Sequence, residues 1–397
     1  MKQGYLSQYF SGVVFKRLSA VEARPDRSNQ HEFNGVIPLK KLLGLEKRDF
    51  TARFFRLDDN EPDPLATDGT LKWYDSREKH ETRTEWRLYY KSNQVTDTFQ
   101  EGDMVLVARD TSDMLLLLVA TEGSTVENQI RWLFGLEDPT GSFQIRQEEL
   151  GQRQLEFTAR QILEQIGVEI VETDVNWLDR LHARFGLLFP TTRLFSKFAR
   201  EETPDVDVVA DPDGTLMAWM DREEMLFRTF ERHILTERLQ QGFKDVDDFI
   251  SFSLSVQNRR KSRVGFALEN HLSALFDGNG IQYSHGVATE LNSKPDFIFP
   301  GLAEYRENLF PASRLTVLGA KTTCKDRWRQ VLAEAARIPE KHLITLESGI
   351  SENQTTEMAA SNLKLVVPKA IHATYNERQR QWLLDVRGFI ESVRERQ

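Results

Sequence analysis

The stretch "LTVLGAKTTCKDRWRQVLAEA", Leu315–Ala335, decides the fold of the carboxy-terminal half of the chain. Its opening apolar run predicts a short buried strand, and that strand ends at Lys321. The residues that follow predict a helix whose first turn carries charges of both signs. A strand that leads into a helix is typical of an α/β domain, and the lysine at the junction needs a chemical explanation.

A carboxylate precedes this unit, at the start of another predicted strand. In "KPDFIFP", Lys294–Pro300, Asp296 leads into a short apolar run, and a charged loop separates that run from the strand of Lys321. An acid on one strand and a lysine on the next is the arrangement used for metal-dependent phosphodiester hydrolysis. The aspartate binds Mg²⁺, a hard ion that prefers oxygen ligands, and the lysine orients or helps to deprotonate the attacking water.

The usual form of this nuclease motif has a second acid two residues before the lysine, but Gly319 occupies that position. Either the nuclease hypothesis fails or the acid comes from elsewhere. Glu334 is the natural replacement, because the predicted helix places Arg327, Gln330 and Glu334 on one face. Glu269 is a second candidate, at the margin of a helix face whose apolar residues, Phe266 included, are expected to be buried; a solvated acid is the alternative.

The rest of the carboxy-terminal half also predicts an α/β domain. Helices alternate with short strands from about residue 171 onward. The segment Asp245–Gly280 is expected to contain two helices, and Arg378–Glu395 a single final helix.

The first third of the chain predicts a β-rich domain. Short runs of β-branched and aromatic residues, separated by turn clusters, are typical of a small barrel or sandwich. "NGVIPL", Asn34–Leu39, is counted among these strands, and helices are expected at Ser124–Leu136 and Arg153–Gly167.

Composition narrows the class of protein and of partner. The chain has 397 residues with a single cysteine, Cys324, and no apolar run near the roughly 20 residues that span a bilayer. We therefore expect a cytoplasmic protein without a membrane partner. The net charge of −9 argues against nucleic acid, but Arg259–Arg329 carries 11 Lys or Arg against 7 Asp or Glu. One basic face can bind phosphates, and a solvated charged run is the alternative.

The mixed charge at the start of the helix suits the reading of G·C pairs. In the major groove, Lys325 and Arg327 can donate to guanine, and Asp326 can accept from cytosine. The alternative is structural, because an acid near a helix N-terminus also favours the helix dipole.

Four motifs together resemble the catalytic domain of the EcoRII-like Type II (Type IIE) restriction endonucleases, in the PD-(D/E)xK nuclease superfamily. They are "SVQNRRKSRVGFALENHL" (Ser255–Leu272), "KPDFIFPG" (Lys294–Gly301), "VLGAKTTCKDRWRQVLAEA" (Val317–Ala335) and "LKLVVP" (Leu363–Pro368). The resemblance covers most of residues 171–397. It implies a restriction-endonuclease-like core with the second acid displaced from strand to helix. The implied catalytic residues are Asp296, Lys321, Glu334, Glu269 and Tyr305, with Mg²⁺ bound by Asp296 and Glu334.

The same resemblance implies a recognition site. Family members use the motif that corresponds to Lys325–Arg327 for the CC/GG part of a CCNGG-type sequence, which is CCWGG in one relative. They are thought to flip the central base out of the stack, which costs a few kcal/mol.

Residues 1–170 resemble the amino-terminal half of the same family more weakly, through Phe15–Ala20, Ile37 and Trp73–Tyr90. The resemblance implies a β-pseudobarrel effector domain, with a linker, that binds a second copy of the site. Its two arms would be Lys16, Arg17 and Ser19, and Ser76, Arg77, Arg83, Glu85 and Arg87. On a strand, Arg83, Glu85 and Arg87 alternate to one face, and a cross-strand ladder of salt bridges is the alternative. Val21–Gly35 and Glu78–Glu81 depart from the family, which puts the specificity of this domain in doubt.

The sequence thus predicts a homodimeric restriction endonuclease that acts on double-stranded DNA and binds two copies of its site. Residues 1–170 would be an allosteric, autoinhibitory effector domain and residues 171–397 the catalytic domain, with a companion DNA methyltransferase in the same system. Two other functions remain open: a sequence-specific DNA-binding regulator that has lost catalysis, and a repair or defence nuclease of low specificity.

Overall fold

The structure is a computed structural model, and it describes residues 5–23, 31–59, 61, 64–152, 155–168, 175–290, 293–323 and 327–397. The chain divides into two compact units, residues 1–170 and 171–397. Within the described residues, no helix has the length and apolar character that a membrane span requires.

An eight-stranded mixed sheet forms the first unit, in the order β2-β5-β4-β3-β7-β6-β1-β8. Neighbouring strands are antiparallel except for β3 and β7, which are parallel. The strands are β1 Phe10–Arg17, β2 Glu32–Asn34, β3 Arg48–Leu57, β4 Leu65–Asp75, β5 Trp86–Tyr90, β6 Met104–Asp110, β7 Leu115–Ala120 and β8 Gln144–Arg146.

Both faces of this sheet are buried at β1, β6 and β7. Along β1, Val14 points into one apolar cluster, whereas Val13 and Phe15 point into another. This alternation follows from the two-residue period of a strand, and it explains the long apolar runs in the sequence. The helices of the unit are α1 Ala20–Ala23, α2 Ile37–Leu43, α3 Thr125–Phe134 and α4 Phe157–Gln165.

The predicted strand at Asn34–Leu39 is wrong, because α2 begins there. Pro38 lies in the first turn of this helix, where its missing N–H is tolerated. Leu39, Leu42 and Leu43 are buried at helical spacing.

The second unit is an α/β domain built on a five-stranded sheet, in the order β13-β12-β11-β10-β9. The strands β9, β10 and β11 are antiparallel, whereas β11, β12 and β13 are parallel. Their bounds are β9 Ser284–His285, β10 Phe297–Phe299, β11 Thr316–Ala320, β12 Lys341–Ile344 and β13 Leu363–Val366.

Helices surround this sheet and differ from the sequence prediction in two places. One continuous helix, α8, replaces the two expected in Asp245–Gly280. The expected final helix is instead two helices, because Leu383 is extended and the side chain of Asp385 caps a new helix at Gly388 N–H. The helices are α5 Val175–Phe185, α6 Thr192–Glu201, α7 Pro212–Gln241, α8 Val246–Gly278, α9 Leu302–Arg306, α10 Trp328–Leu332, α11 Glu352–Ala360, α12 Glu377–Trp382 and α13 Val386–Arg396.

Two contacts join distant parts of this unit. The buried carboxylate of Asp213, at the start of α7, accepts hydrogen bonds from the backbone N–H groups of Lys369, Val386 and Arg387. Phe299 of β10 lies between Phe276 of α8 and Phe389 of α13, at ring-centroid distances of 5.2 and 5.7 Å. These contacts fix α8 and α13 relative to the strand that follows Asp296.

Candidate active site

Asp296 and Lys321 meet at one end of the antiparallel pair β10 and β11. The Lys321 ammonium donates to Asp296 Oδ2 at 2.7 Å, and the N–H of Ala320 donates to the same oxygen at 2.6 Å. Lys321 is also held by its own N–H, which donates to the carbonyl of Ile344 at 3.0 Å. Both side chains remain partly exposed, at 15% for Asp296 and 19% for Lys321. The structure therefore brings together the carboxylate and the lysine, in reach of solvent.

Gly319 has a steric role at the position where the nuclease motif usually carries an acid. A Cβ atom there would lie 2.6 Å from Cγ2 of Val331, which belongs to α10. The missing side chain thus lets α10 pack directly against β11. This close approach brings the segment after α10 towards Lys321.

Glu334 lies in that segment, in a turn after the end of α10. The predicted helical face shared by Arg327, Gln330 and Glu334 is wrong, because α10 covers only Trp328–Leu332 and Arg327 is its N-cap. Burial, and then the negative charge of Asp296, raise the pKa of Glu334 to about 7, while the positive charges of Lys321 and Lys341 oppose this shift. The two acids are therefore close enough to repel each other.

The turn that carries Glu334 is held by three polar side chains. The ammonium of Lys341 donates to three of its carbonyls, and Glu290 accepts from the N–H of Ala336. The Tyr305 hydroxyl donates to Glu290 at 2.8 Å, and burial together with this hydrogen bond raises the pKa of Tyr305 to about 12. The Tyr305 ring packs in an apolar cluster that includes Ala335 of the same turn. Tyr305 thus contacts Glu290 and Ala335, which hold the turn that carries Glu334.

A pocket of about 440 Å³ opens beside Lys321. Glu269 lines it from α8, where its carboxylate contacts Nε2 of His285 at 2.9 Å. Phe266 also lines it and is 52% exposed, so the expectation that it faces the core is wrong. The pocket is also lined by Lys261, Ser262, Gly265, Ala320, Thr322, Arg327 and Gln330.

The sequence analysis missed His285. Its ring packs on Phe297, with centroids 4.8 Å apart, and it pairs with that residue across β9 and β10. The sequence offers one signal for this residue, which is a histidine in the predicted strand before Asp296. Its partner Glu269 lies 16 residues earlier in the chain.

Arg327 is the only member of the predicted recognition motif that lies within the described residues. It lines the pocket beside Lys321. Lys325 and Asp326 lie outside the described residues.

Asp296 and Glu334 fit a Mg²⁺ ion whose remaining ligands come from water and substrate. No cluster of three or more His, Cys, Asp or Glu suited to a metal occurs among the described residues. One carboxylate oxygen of Glu334, Oε2, is buried and has no hydrogen-bond partner in the part of the chain that is described. Mg²⁺ commonly binds through one or two carboxylates plus phosphates and retains several waters, so this donor set is compatible with it.

In the first unit, carboxylates hold the residues of the first predicted arm. Lys16 is buried, and its ammonium donates to Glu22 at 2.7 Å. Ser19 bonds to the same carboxylate through its hydroxyl at 2.8 Å. The Arg17 guanidinium forms a two-pronged ion pair with the buried Glu127, at 2.5 and 2.8 Å.

The second predicted arm is a turn that leads into β5. The expected alternation of Arg83, Glu85 and Arg87 along one strand is wrong, because β5 begins at Trp86. Hydrogen bonds from Arg77 and Arg87 hold the pKa of Glu85 below its usual range. Arg83 is exposed, and the hydroxyl of Ser76 donates to the carbonyl of Glu85.

Comparisons with known proteins show which families and relatives this chain resembles. Residues 227–390 match the family described as EcoRII C terminal. The chain is similar to "Type II restriction enzyme EcoRII" of Escherichia coli, with 39% identity over 57% of this chain and 56% of the relative. It is also similar to "Type II restriction enzyme SsoII" of Shigella sonnei, with 31% identity over 29% of this chain and 40% of the relative. The matched regions thus span about half the length of these curated relatives.

Solved structures of two restriction endonucleases with DNA are also similar to part of the chain. "Metal-depleted Ecl18kI in complex with uncleaved DNA" has a TM-score of 0.45 and 21% identity, over 56% of this chain and 83% of that chain. "Restriction endonuclease PspGI-substrate DNA complex" has a TM-score of 0.46 and 16% identity, over 52% of this chain and 93% of that chain. The resemblance recognised in the sequence is confirmed by the family match, which covers residues 227–390.

Proposed function

We propose that this protein is a Type II restriction endonuclease that cleaves double-stranded DNA at a CCNGG-type site, CCWGG being the first candidate, with Mg²⁺ as cofactor. The observation that carries the proposal is the contact of Lys321 with Asp296, together with the buried oxygen of Glu334 that has no hydrogen-bond partner among the described residues. The five-stranded sheet is then a restriction-endonuclease-like core. The family match over residues 227–390 supports this assignment.

We assign each residue a role in phosphodiester hydrolysis. Mg²⁺ held by Asp296 and Glu334 would stabilise negative charge on the phosphate and make a bound water more acidic. Both donors to Asp296 described above use Oδ2, which leaves Oδ1 for another ligand. Lys321 is then placed to orient the attacking water and to contact the phosphate. Glu269 faces the same pocket and is an additional acid whose orientation is set by His285.

Recognition of the DNA is assigned to the segment that precedes α10. Arg327 lines the pocket beside Lys321, so a base contact by Lys325–Arg327 would lie next to the reacting phosphate. An arginine that donates to guanine contributes about 1–3 kcal/mol of discrimination against the wrong base.

A palindromic site requires a protein with two-fold symmetry, so we propose a homodimer. The first turns of α8 offer a surface for it, because Val246, Phe249, Ile250 and Leu254 are each about half exposed or more, at 71%, 47%, 47% and 53%. Their spacing places them on one face of the helix.

Residues 1–170 are proposed to bind a second copy of the site and to restrain cleavage until they do. Deleting them is expected to speed the cleavage of DNA that carries a single site. An unchanged rate, with DNA binding intact, would remove autoinhibition from the proposal. A companion methyltransferase would protect cellular DNA from the same activity.

Digestion of an unmethylated plasmid in Mg²⁺, with sequencing of the fragment ends, tests the proposal. We expect ends that share a CCNGG-type sequence, and loss of cutting in Asp296→Ala and Lys321→Ala. Lys364→Ala, in β13 at the edge of the same sheet, is the matched control and is expected to cut normally. Binding of the site without cutting by the intact chain would favour the regulator. Ends without a common sequence would favour the low-specificity nuclease.

A further inference from the structure

Lys341, the first residue of β12, is a buried cation directed at the turn that carries Glu334. The side chain is almost inaccessible, since the residue is only 5% exposed. Its ammonium donates to the carbonyls of Glu334 at 2.5 Å, Ala335 at 2.7 Å and Ile338 at 2.6 Å. An ammonium has three N–H donors and no acceptor, so these three carbonyls satisfy it completely.

The turn needs such a donor because of how α10 ends. The carbonyls of a reversing chain have no partners in a helix or strand ladder, and burying them unpaired is costly. Here α10 stops at Leu332, and the chain reverses through Ala335, whose φ of 46° lies in the left-handed region. That region is unfavourable for an alanine, so neighbouring contacts must hold the turn.

Other contacts leave Glu334 little backbone freedom. Glu290 accepts from the N–H of Ala336 on the opposite side of the turn, and it is itself held by the Tyr305 hydroxyl. The carboxylate of Glu334 has no hydrogen bond at Oε2 among the described residues, so its position depends on the backbone beneath it.

We infer that Lys341 is a positioning residue, which fixes the turn Glu334–Ile338 and thereby holds the Glu334 carboxylate beside Asp296 for the metal. This inference rests on the proposed function. Residues that do not touch a metal can still orient its ligands through hydrogen bonds, and this is the role assigned to Lys341. Loss of such a hydrogen bond lowers metal affinity by about 10–100-fold.

The test compares Lys341→Met, which removes the three donors and keeps the chain length, with Lys364→Met as the matched control. The full-length protein is titrated with Mn²⁺, and the concentration of free Mn²⁺ is measured by electron paramagnetic resonance. The Mg²⁺ dependence of plasmid cleavage is measured on the same samples. We expect Lys341→Met to weaken Mn²⁺ binding about tenfold and to raise the half-saturating Mg²⁺ concentration by a similar factor. The affinity of Lys341→Met for DNA in the absence of metal should equal that of the parent. The control Lys364→Met should keep the thermal midpoint of the parent.

A role in stability alone would lower the amount of active protein without moving the half-saturating Mg²⁺ concentration. That result, or unchanged Mn²⁺ binding in folded Lys341→Met, would overturn the inference. Where Lys341→Met does not fold, Lys341→Gln keeps two N–H donors, and the same criteria apply to it. Absence of cutting by the intact chain at any Mg²⁺ concentration refutes the proposed function separately, because Mn²⁺ binding still reports on Lys341.

Discussion

Glu334→Gln should stabilise the fold at neutral pH while abolishing cleavage. The folded protein raises the pKa of this carboxyl from its ordinary 4.5 to about 7, mainly through burial and then through the charge of Asp296. When folding raises the pKa of a carboxyl, ionisation of that group costs more free energy in the folded state than in the unfolded state. Its destabilising effect is therefore absent below about pH 4.5 and grows as the pH rises towards 7. Glutamine has a similar shape and carries no charge at any of these pH values.

The size of the effect follows from the pKa. One pKa unit corresponds to about 1.4 kcal/mol, so the change from 4.5 to about 7 gives an upper bound of about 3 kcal/mol at pH 7. Solvent reaches part of this side chain and screens the charge, which reduces the expected gain to about 1–2 kcal/mol. Near pH 4.5 the variant and the parent should be almost equally stable.

Urea denaturation of the full chain at pH 4.5 and pH 8, without divalent metal, measures this difference. Glu391→Gln, an exposed glutamate of α13, is the control and should change little at either pH. Added Mg²⁺ should stabilise the parent and not Glu334→Gln, because an ion that binds only the folded state raises its stability. An equal stability difference at both pH values would refute the electrostatic reasoning.

Three further predictions concern the rate and the first unit. On the proposed function, the cleavage rate of the parent at subsaturating Mg²⁺ should rise with pH through about 7, because Glu334 would have to lose its proton to bind the metal. A rate independent of pH between 6 and 8 would contradict this. His285→Ala frees the Glu269 carboxylate and should lower the maximal cleavage rate about tenfold in single-turnover assays, with DNA affinity unchanged. Arg17→Ala leaves the buried Glu127 without its two-pronged partner and should lower the free energy of unfolding by about 3 kcal/mol. Urea denaturation would measure this loss, and a value below about 0.5 kcal/mol would mean that the ion pair contributes nothing.

The strands that carry Asp296 and Lys321 were predictable because both signals are local. Each is a short apolar run that is flanked by a polar residue, Asp296 before one run and Lys321 after the other. Such a run can be predicted to form a buried strand from its own residues alone. The α/β class of the second unit follows from the same runs and the helices between them. The five-stranded sheet and the helices of that unit confirm this class.

The surroundings of Glu334 were not predictable in the same way. Helical spacing placed it on a long α10, but the helix ends at Leu332, and a turn held by Lys341 takes over. The hydrogen bonds that decide this come from residues up to 46 positions away, such as Glu290 to Ala336. His285 was missed for a related reason, since only the folded sheet brings it to Glu269. Local propensity cannot represent such contacts.

The strand prediction at Asn34–Leu39 failed for a different reason. Val36, Ile37 and Leu39 have the composition of a strand, which is why Asn34–Leu39 was counted among the strands. Buried leucines at positions 39, 42 and 43 instead have helical spacing, which becomes visible only when the window is extended past Leu39.

The three hydrogen bonds of Asp213 also bear on how the protein is synthesised. Its partner Val386 lies 173 residues later in the chain. The ribosome therefore makes every residue of the candidate active site before Asp213 can accept all three hydrogen bonds. Phe389, which packs on Phe299, emerges later still. A nascent chain therefore contains Asp296, Lys321 and Glu334 without the helix that completes their support. On the proposed function, an unfinished chain would not cut DNA, and translation itself would delay the activity until the domain is whole.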